Sequence, residues 1–187
     1  MNDAAEIARL LLHGNQLKRT ARTGWVQRGV VNAENVAAHS YGVAFTALIL
    51  AQLSDETLDL SKLLTMAILH DLPEGLTTDI PSPAWRYLPP DIKLTVERGA
   101  LSDILAGLPF QDDLQAVWEE LHAGQTAEAR LTHDADKIDL YIQAYIYEQQ
   151  TGNRQLAEFW RDEPAFYSPA AQAVYDWLCE ERVITIT

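Results

Sequence analysis

Two histidines and two aspartates stand in otherwise apolar stretches, and they are the residues of this chain best suited to chemistry. His70 and Asp71 end the apolar run that begins at Leu63, His39 lies inside a second run, and Asp136 lies in a third. A charged group in a protein core needs a partner or a metal ion. Imidazole and carboxylate groups together suit a divalent transition metal, so these four side chains are candidate ligands.

Each candidate also has an explanation that needs no metal. His39 and His70 could be buried core histidines with satisfied hydrogen bonds. Asp71 could be a carboxylate at a helix end, and Asp136 could pair with a nearby basic residue. The spacing alone leaves both interpretations open.

Two further carboxylates follow the pair His70 and Asp71. Glu74 comes four positions after His70, so in helical geometry it lies one turn on and on the same side. A carboxylate beside a metal in a partly closed cleft is a reasonable general base. Pro73 disfavours helical geometry at the residue before it, which predicts that the helix ends or kinks near His70. Asp79 follows one short loop later.

The elements that must position these residues are helices. Apolar residues recur at helical spacing along most of the chain, which predicts an all-α protein, a single helical bundle of about seven or eight helices. Residues 80–90 are rich in proline and predict an irregular segment. Residues 183–186 have β-prone composition but are too few to pair alone. The main helices are predicted over residues 4–17, 36–53, 63–71, 91–106, 112–121 and 126–152, with a short one near Trp160 and a last one to the terminus.

Residues 18–29 break the helical pattern. They contain four basic residues, two glycines and Trp25. The segment is either a solvated connector or an arm that binds anions, because arginine suits both surfaces and phosphate. Trp25 either covers the core or forms part of a pocket. Arg22 and Arg28 are among the basic residues of this segment.

Composition excludes several classes of protein. The net charge is −13, from 27 acidic and 14 basic residues, which argues against extended contact with nucleic acid. The single cysteine, Cys179, excludes an internal disulfide and a cysteine-based zinc site. No apolar run approaches the roughly 18 residues of a membrane span. We therefore expect a cytoplasmic protein that does not associate with a membrane.

The length of 187 residues predicts one domain over 1–187, with a metal-site core at about 18–140. The C-terminal helices, residues 154–187, are expected to pack on that core. They hold more aromatic residues than the rim of a small domain needs, which predicts a homodimer interface there. These residues are Phe159, Trp160, Phe166, Tyr167, Tyr175 and Trp177.

The order His39, His70-Asp71, Asp136 resembles the H…HD…D signature of the HD-domain superfamily of metal-dependent phosphohydrolases. Two longer blocks are more specific. Residues 22–28 with 34–40 resemble the RTGW and ENVxxHS blocks of the 5′-deoxynucleotidase (YfbR-type) branch and its HDDC-like relatives. Residues 70–74 with 78–83 resemble the HDxxE…GDxPxP block of the same group.

The resemblance implies a fold and a site. It implies a helical HD domain in which His39, His70, Asp71 and Asp136 bind one divalent transition metal, namely Mn, Co, Fe, Ni or Zn. Glu74 would position or deprotonate the attacking water. The other implied site residues are Asp79, which would contact the sugar or assist proton transfer, and the substrate-site residues Arg22, Trp25, Arg28, Ile80, Pro81, Ser82 and Lys137.

The implied function is hydrolysis of nucleoside 5′-monophosphates to nucleoside and inorganic phosphate. The alternatives are an HD-type phosphodiesterase or nucleoside-triphosphate hydrolase, and a metal- or nucleotide-binding module without turnover. Two positions depart from the family pattern. Gly24 stands where the bacterial enzyme has an arginine linked to its preference for deoxyribose, and Thr78 replaces the glycine before Asp79. The sequence therefore leaves the sugar open, as well as the base and the metal.

Overall fold

Helices make up all the regular structure in the described part of the chain, which is residues 3–81, 84 and 87–186 of the computed structural model. One isolated antiparallel bridge between Ala21 and Asn35 is the exception. The all-α prediction is confirmed. Ser82, a predicted pocket residue, lies outside the described residues. Among the described helices, none combines the length and the apolar character that crossing a membrane requires.

The α-helices are close to the predicted ones, and their ends differ by a few residues. Two short 3-10 segments, Leu17–Arg19 and Arg154–Trp160, lie between them. In chain order the α-helices are α1 (Asp3–Gln16), α2 (Thr23–Gln27), α3 (Val36–Gln52), α4 (Leu60–Leu69), α5 (Glu74–Thr77), α6 (Ile92–Leu105), α7 (Gln111–Ala123), α8 (Ala127–Thr151) and α9 (Pro169–Ile186).

Two segments differ from the sequence expectation. Residues 23–27, expected to be irregular, form the short helix α2. The β-prone residues 183–186 form the last turn of α9 instead. β-propensity is weak and depends on a neighbouring strand, whereas each residue added to an existing helix gains a backbone hydrogen bond.

The chain forms two compact units, and α3 and α4 contribute to both. The first unit comprises Met1–Ser40 and Ile68–Glu119, and the second comprises Tyr41–Ala67 and Glu120–Thr187. The prediction of a single domain over residues 1–187 stays a prediction.

The core of the first unit surrounds the end of α4. Within this unit α5 packs against α1 and α6. The helix α4 ends at Leu69, where the Leu72 N–H donates to the Leu69 carbonyl at 3.0 Å. This agrees with the break predicted before Pro73. The buried apolar residues are Leu17, Val36, Leu69, Leu72, Leu101, Ile104, Leu105, Leu108 and Trp118.

The second unit is built on the long helix α8, which packs against α9. Thr126 caps its start by accepting a hydrogen bond from the Ala129 N–H at 3.4 Å. Gly152 ends it with φ of +63°, a backbone conformation that glycine adopts without strain. Several aromatic side chains that were predicted at a dimer interface pack inside this unit. Rings of Trp160 and Phe166 lie 6.1 and 5.6 Å from that of Tyr175.

Candidate metal centre

Three of the four predicted ligands meet in the first unit. Nε2 of His39 lies 3.3 Å from Nε2 of His70. Oδ2 of Asp71 lies 3.6 Å from the His39 nitrogen and 3.2 Å from the His70 nitrogen. Ligand atoms at these separations can share one cation at about 2.0–2.2 Å from each. Two imidazole nitrogens and a carboxylate oxygen are a donor set that fits a divalent transition metal.

His39 is positioned by the start of α3. Asn35 caps this helix, because its side-chain oxygen accepts the Ala38 N–H at 2.9 Å. The Val36 N–H donates to the Thr20 carbonyl at 2.9 Å, which ties the same turn to the preceding chain. His39 follows one residue after Ala38 and is completely buried. The cap at the start of α3 and the surrounding core therefore both fix the position of the His39 imidazole.

His70 and Asp71 lie directly after the last residue of α4. The indole N–H of Trp118 donates to the His70 carbonyl at 3.4 Å, and this tryptophan is buried in the core of the unit. The backbone that carries the two ligands is thus held by a hydrogen bond from another helix.

Asp71 is held in its ionised form. Burial by itself favours the neutral acid, but the positive charges of His70, Arg22 and His39 outweigh it and keep the pKa of Asp71 well below its usual range. Nη1 of Arg22 lies 3.3 Å from its Oδ2. An ionised carboxylate is the form that binds a metal ion.

Glu74 has the opposite character. It is buried, and its Oε2 has no hydrogen-bond partner among the described residues. Burial, followed by the negative charges of Asp71 and Asp79, raises the pKa of Glu74 to about 9. A buried carboxylate oxygen without a partner is costly in free energy. Nearby positive charge would relieve this cost, so Glu74 also fits a cation at the three ligands.

Asp79 joins α2 to the segment after α5. Its Oδ2 accepts the Thr23 N–H at 2.6 Å, and its carbonyl accepts the Thr23 hydroxyl at 2.9 Å. The preceding residue, Thr78, has φ of +62° and ψ of 163°. This backbone region is favourable only for glycine, which the related motif has there. Ile80 and Pro81 follow and are half-buried.

Residues 18–29 were open to two interpretations, a solvated connector or an arm that binds anions. The side chains of this segment differ in what they contact. Trp25 is buried, and its indole N–H donates to Glu34 at 2.9 Å, as expected for a ring that covers the core. Arg28 donates to the Gly24 carbonyl at 2.9 Å. Arg22 instead reaches Asp71 in the ligand group. Roles for Trp25 and Arg28 in a nucleotide pocket stay predictions.

Asp136, the fourth predicted ligand, lies in the second unit on α8. It lines a pocket of about 440 Å³ together with Arg130, His133, Lys137 and neighbouring residues. Lys137 donates to the Ala165 carbonyl at 2.7 Å. A metal contact for Asp136 and a phosphate contact for Lys137 stay predictions.

Sequence reasoning missed Lys93 and Glu97 on α6. Their atoms Nζ and Oε1 lie 3.4 Å apart. Burial lowers the pKa of Lys93, but the negative charges of Glu97, Asp71 and Glu74 outweigh it and raise that pKa. A lysine and a glutamate four positions apart are common on exposed helices, so the spacing gave no signal of a site.

Comparison with known proteins found a family model, several relatives and several solved structures that match this chain. The family model described as HD domain matches residues 14–174. The chain is 32% identical over 171 residues to "5'-deoxynucleotidase HDDC2" of Danio rerio, covering 89% of this chain and 83% of that protein. It is 36% identical over 135 residues to the protein of the same name from Bos taurus, covering 71% and 63% respectively. A solved structure of a conserved hypothetical protein from Pyrococcus furiosus matches with a TM-score of 0.71 and 37% identity, covering 95% and 94% of the two chains.

Proposed function

The chain belongs to the HD domain family, and we propose that it is a metal-dependent hydrolase that releases inorganic phosphate from nucleoside 5′-monophosphates. The observation that carries the proposal is the group of His39, His70 and Asp71 with the buried Glu74 beside it. The relatives named 5'-deoxynucleotidase support nucleoside monophosphates as the substrate class.

We assign the metal to His39, His70 and Asp71, with Asp136 as the fourth ligand. The first three are supported by their distances, and Asp136 is supported by the order of residues in the family motif. A divalent cation in such a site lowers the pKa of water and neutralises charge on phosphoryl oxygens. The donor set is compatible with Mn, Co, Fe, Ni or Zn.

Glu74 is the proposed general base. Its Oε2 would accept the proton of the water that attacks phosphorus, and its burial keeps bulk water away from that oxygen. The pKa of about 9 for Glu74 applies when no metal ion is bound beside it. Positive charge at the neighbouring ligands lowers this pKa, because it stabilises the carboxylate form. Metal binding would therefore prepare Glu74 to accept a proton at neutral pH.

The substrate would be held by residues on both sides of the ligand group. Arg22 brings positive charge to Asp71 and supports binding of an anionic phosphate. Asp79 is proposed to contact the sugar, with Ile80, Pro81 and Ser82 along the same pocket. The hydrogen bonds from Thr23 to Asp79 support this assignment, since they fix the backbone and the carboxylate together.

A phosphate-release screen tests the proposal. Purified protein is assayed with all ribo- and deoxyribonucleoside 5′-monophosphates and with each of the five metals. We expect release that requires a metal and that falls by about 10²–10⁴-fold in Glu74→Gln, the typical contribution of a general base. Mn²⁺ binding should survive in this variant, and Glu119→Gln, an exposed carboxylate of the same unit, should retain activity. Absence of release from every nucleotide with every metal would refute the proposal.

We further propose a homodimer whose interface includes an exposed apolar stripe on α3. Tyr41, Phe45 and Ile49 are exposed at successive turns, and Leu53 continues the line just beyond the helix. Residues 36–53 contain no Asp, Glu, Lys or Arg. A helix that is apolar on all sides is normally covered. Because each copy carries a net charge of −13, a face without charge is the one on which two copies repel least.

We also propose a cytoplasmic location without binding to nucleic acid. The lone Cys179 supports a reducing compartment. The excess of acidic residues supports the absence of a nucleic-acid partner.

A further inference from the structure

The first turn of α6 carries a positive charge toward the ligand group. The helix α6 packs against α5, the short helix that begins with Glu74. Lys93 lies at the start of α6, and the charges of Asp71 and Glu74 both act on it. Neither the family motif nor the spacing of the sequence singles out this lysine.

Glu97 holds this lysine from one turn further along α6. The two charged atoms lie 3.4 Å apart, and only 8% of Glu97 is exposed, whereas the Lys93 side chain is 50% exposed. A buried carboxylate needs a nearby cation to remain ionised. Glu97 therefore restrains the ammonium group near its carboxylate, while half of the lysine side chain remains accessible to solvent.

An ordinary surface pair does not have this arrangement. The same helix provides one for comparison, because Arg98 pairs with Glu119 and both side chains are nearly half exposed, at 47 and 42%. Exposed pairs of this type contribute little to stability and need no buried partner. The Lys93–Glu97 pair differs from the Arg98–Glu119 pair because Glu97 is buried and the charges of Asp71 and His70 act on it.

The negative charge beside the ligand group indicates which ligand the lysine would bind. Three carboxylates, those of Asp71, Glu74 and Asp79, lie together, and they repel the dianion of a phosphate monoester. A divalent cation offsets part of this charge, and Arg22 is already engaged with Asp71 at 3.3 Å. Lys93 is a second cation on which the charges of Asp71 and Glu74 act, and an ammonium group is a strong donor to phosphate oxygens.

We propose that Lys93 binds the phosphoryl group of the substrate and that Glu97 positions its ammonium group toward Asp71 and Glu74. This inference rests on the proposed phosphomonoester chemistry of the same site. It goes beyond that chemistry because it adds a binding residue and a positioning residue from α6.

Binding of inorganic phosphate to the Mn²⁺-loaded protein, measured by titration calorimetry, tests the proposal directly. We expect Lys93→Met to weaken phosphate binding by roughly tenfold or more, the loss typical of one hydrogen bond to a charged group. Lys93→Arg should restore part of the affinity. The affinity for Mn²⁺ should stay unchanged or increase in Lys93→Met, because a cation that repels the metal has been removed. Arg98→Met is the matched control and should change neither affinity.

Glu97 is tested by a double-mutant cycle. Glu97→Gln should weaken phosphate binding less than Lys93→Met, and the double variant should bind no more weakly than Lys93→Met alone. Additive losses would mean that Glu97 acts by another route. Circular dichroism and thermal melting confirm that each variant is folded.

The result that overturns the proposal is wild-type phosphate affinity in folded Lys93→Met. Loss of Mn²⁺ binding in this variant would also overturn it, because the lysine would then support the metal site. Phosphate affinity is measurable whether or not the protein turns over nucleotides. A failure of the proposed hydrolysis therefore appears in the release screen, and a failure of the lysine assignment appears in the calorimetry.

Discussion

Asp71 and Glu74 are two carboxylates three positions apart whose surroundings give them opposite protonation. Arg22 and the two histidines favour the charged form of Asp71, while burial and negative neighbours favour the neutral form of Glu74. Pairs of acids whose pKa values are separated in this way commonly divide the work of a site. Here we propose that the division is between a metal ligand, Asp71, and a general base, Glu74.

The raised pKa of Glu74 predicts how stability depends on pH in the metal-free protein. Its pKa is higher in the folded state than the ordinary glutamate value of 4.5, so the folded state binds the proton more tightly. The resulting stability is fully present below about pH 4.5 and is lost as the pH rises toward about 9, with a slope of at most about 1.4 kcal/mol per pH unit.

Urea unfolding in EDTA at pH 5.5, 7.0 and 8.5 measures this effect. The free energy of unfolding should fall with pH more steeply in the wild-type protein than in Glu74→Gln. Asp71 does not contribute to the slope between pH 5.5 and 8.5. Its pKa is lowered in the folded state, so its contribution to stability is lost only as the pH falls below the usual carboxylate range. Equal slopes in the two proteins would contradict a buried, protonated Glu74.

At the scale of elements, the end of α5 is a strained turn that leads into the site. Thr78 has a positive φ in a region that costs a residue other than glycine about 1–3 kcal/mol. Its N–H nevertheless donates to the Glu74 carbonyl at 3.0 Å, and Asp79 follows with its hydrogen bonds to Thr23. The strain is therefore maintained by contacts on both sides of the residue.

Thr78→Gly should relieve this strain and raise the free energy of unfolding by about 1 kcal/mol, after the entropy cost of glycine is subtracted. Chemical denaturation measures the change. Thr78→Ala keeps a Cβ and serves as the control that should gain little. A destabilised glycine variant would show that the turn is not strained.

The Asp139 side chain of α8 lies against Gly42 of α3 in the second unit. A Cβ built at Gly42 would overlap the carboxylate of Asp139. Gly42→Ala should therefore displace Asp139 and lower the free energy of unfolding by about 1–3 kcal/mol. Gly99→Ala on α6 is the matched control, because a Cβ there meets nothing within 4 Å. It should stabilise the protein by up to about 1 kcal/mol, the helix-propensity gain of alanine over glycine. Similar effects at both positions would contradict the close approach.

The sequence predicted features whose cause is local. The helix break before Pro73 follows from a short-range rule of backbone geometry. Charge in apolar stretches left a metal site and buried core residues both open, and the resemblance to a family motif grouped His39 with His70 and Asp71. The pairing of Lys93 with Glu97 is local, since the two residues lie four positions apart on one helix. The burial of Glu97 depends on how α6 packs, which no local pattern encodes. Burial of the Trp25 ring likewise depends on long-range packing.

At the scale of the whole molecule, the apolar stripe on α3 is the surface that most needs a partner. The rings of Tyr41 and Phe45 lie nearly parallel, with centroids 6.3 Å apart, and 73% of Tyr41 is exposed. The aromatic residues first expected at an interface are in part internal, as Trp160, Phe166 and Tyr175 show. A dimer interface on the C-terminal helices stays a prediction, since Trp177 and Tyr167 are exposed there, and the stripe on α3 is a further candidate surface.

Phe45→Asp should convert the dimer to a folded monomer, because each interface would then bury two unpaired carboxylates. Light scattering coupled to size-exclusion chromatography measures the mass. Val31→Asp changes an exposed apolar residue of the first unit and should leave the dimer intact. A wild-type monomer at micromolar concentration, or a dimeric Phe45→Asp variant, would contradict the prediction.

The division of the first unit into Met1–Ser40 and Ile68–Glu119 has a consequence for synthesis of the protein. A chain leaves the ribosome from its N-terminus at roughly 5–20 residues per second. His39 therefore emerges before the segment that carries His70 and Asp71, and Tyr41–Ala67 must be looped out before the three side chains can meet. Closing such a loop has an entropy cost that the later core contacts must offset. The proposed metal capture by these residues can thus begin only after residues 70 and 71 have been translated.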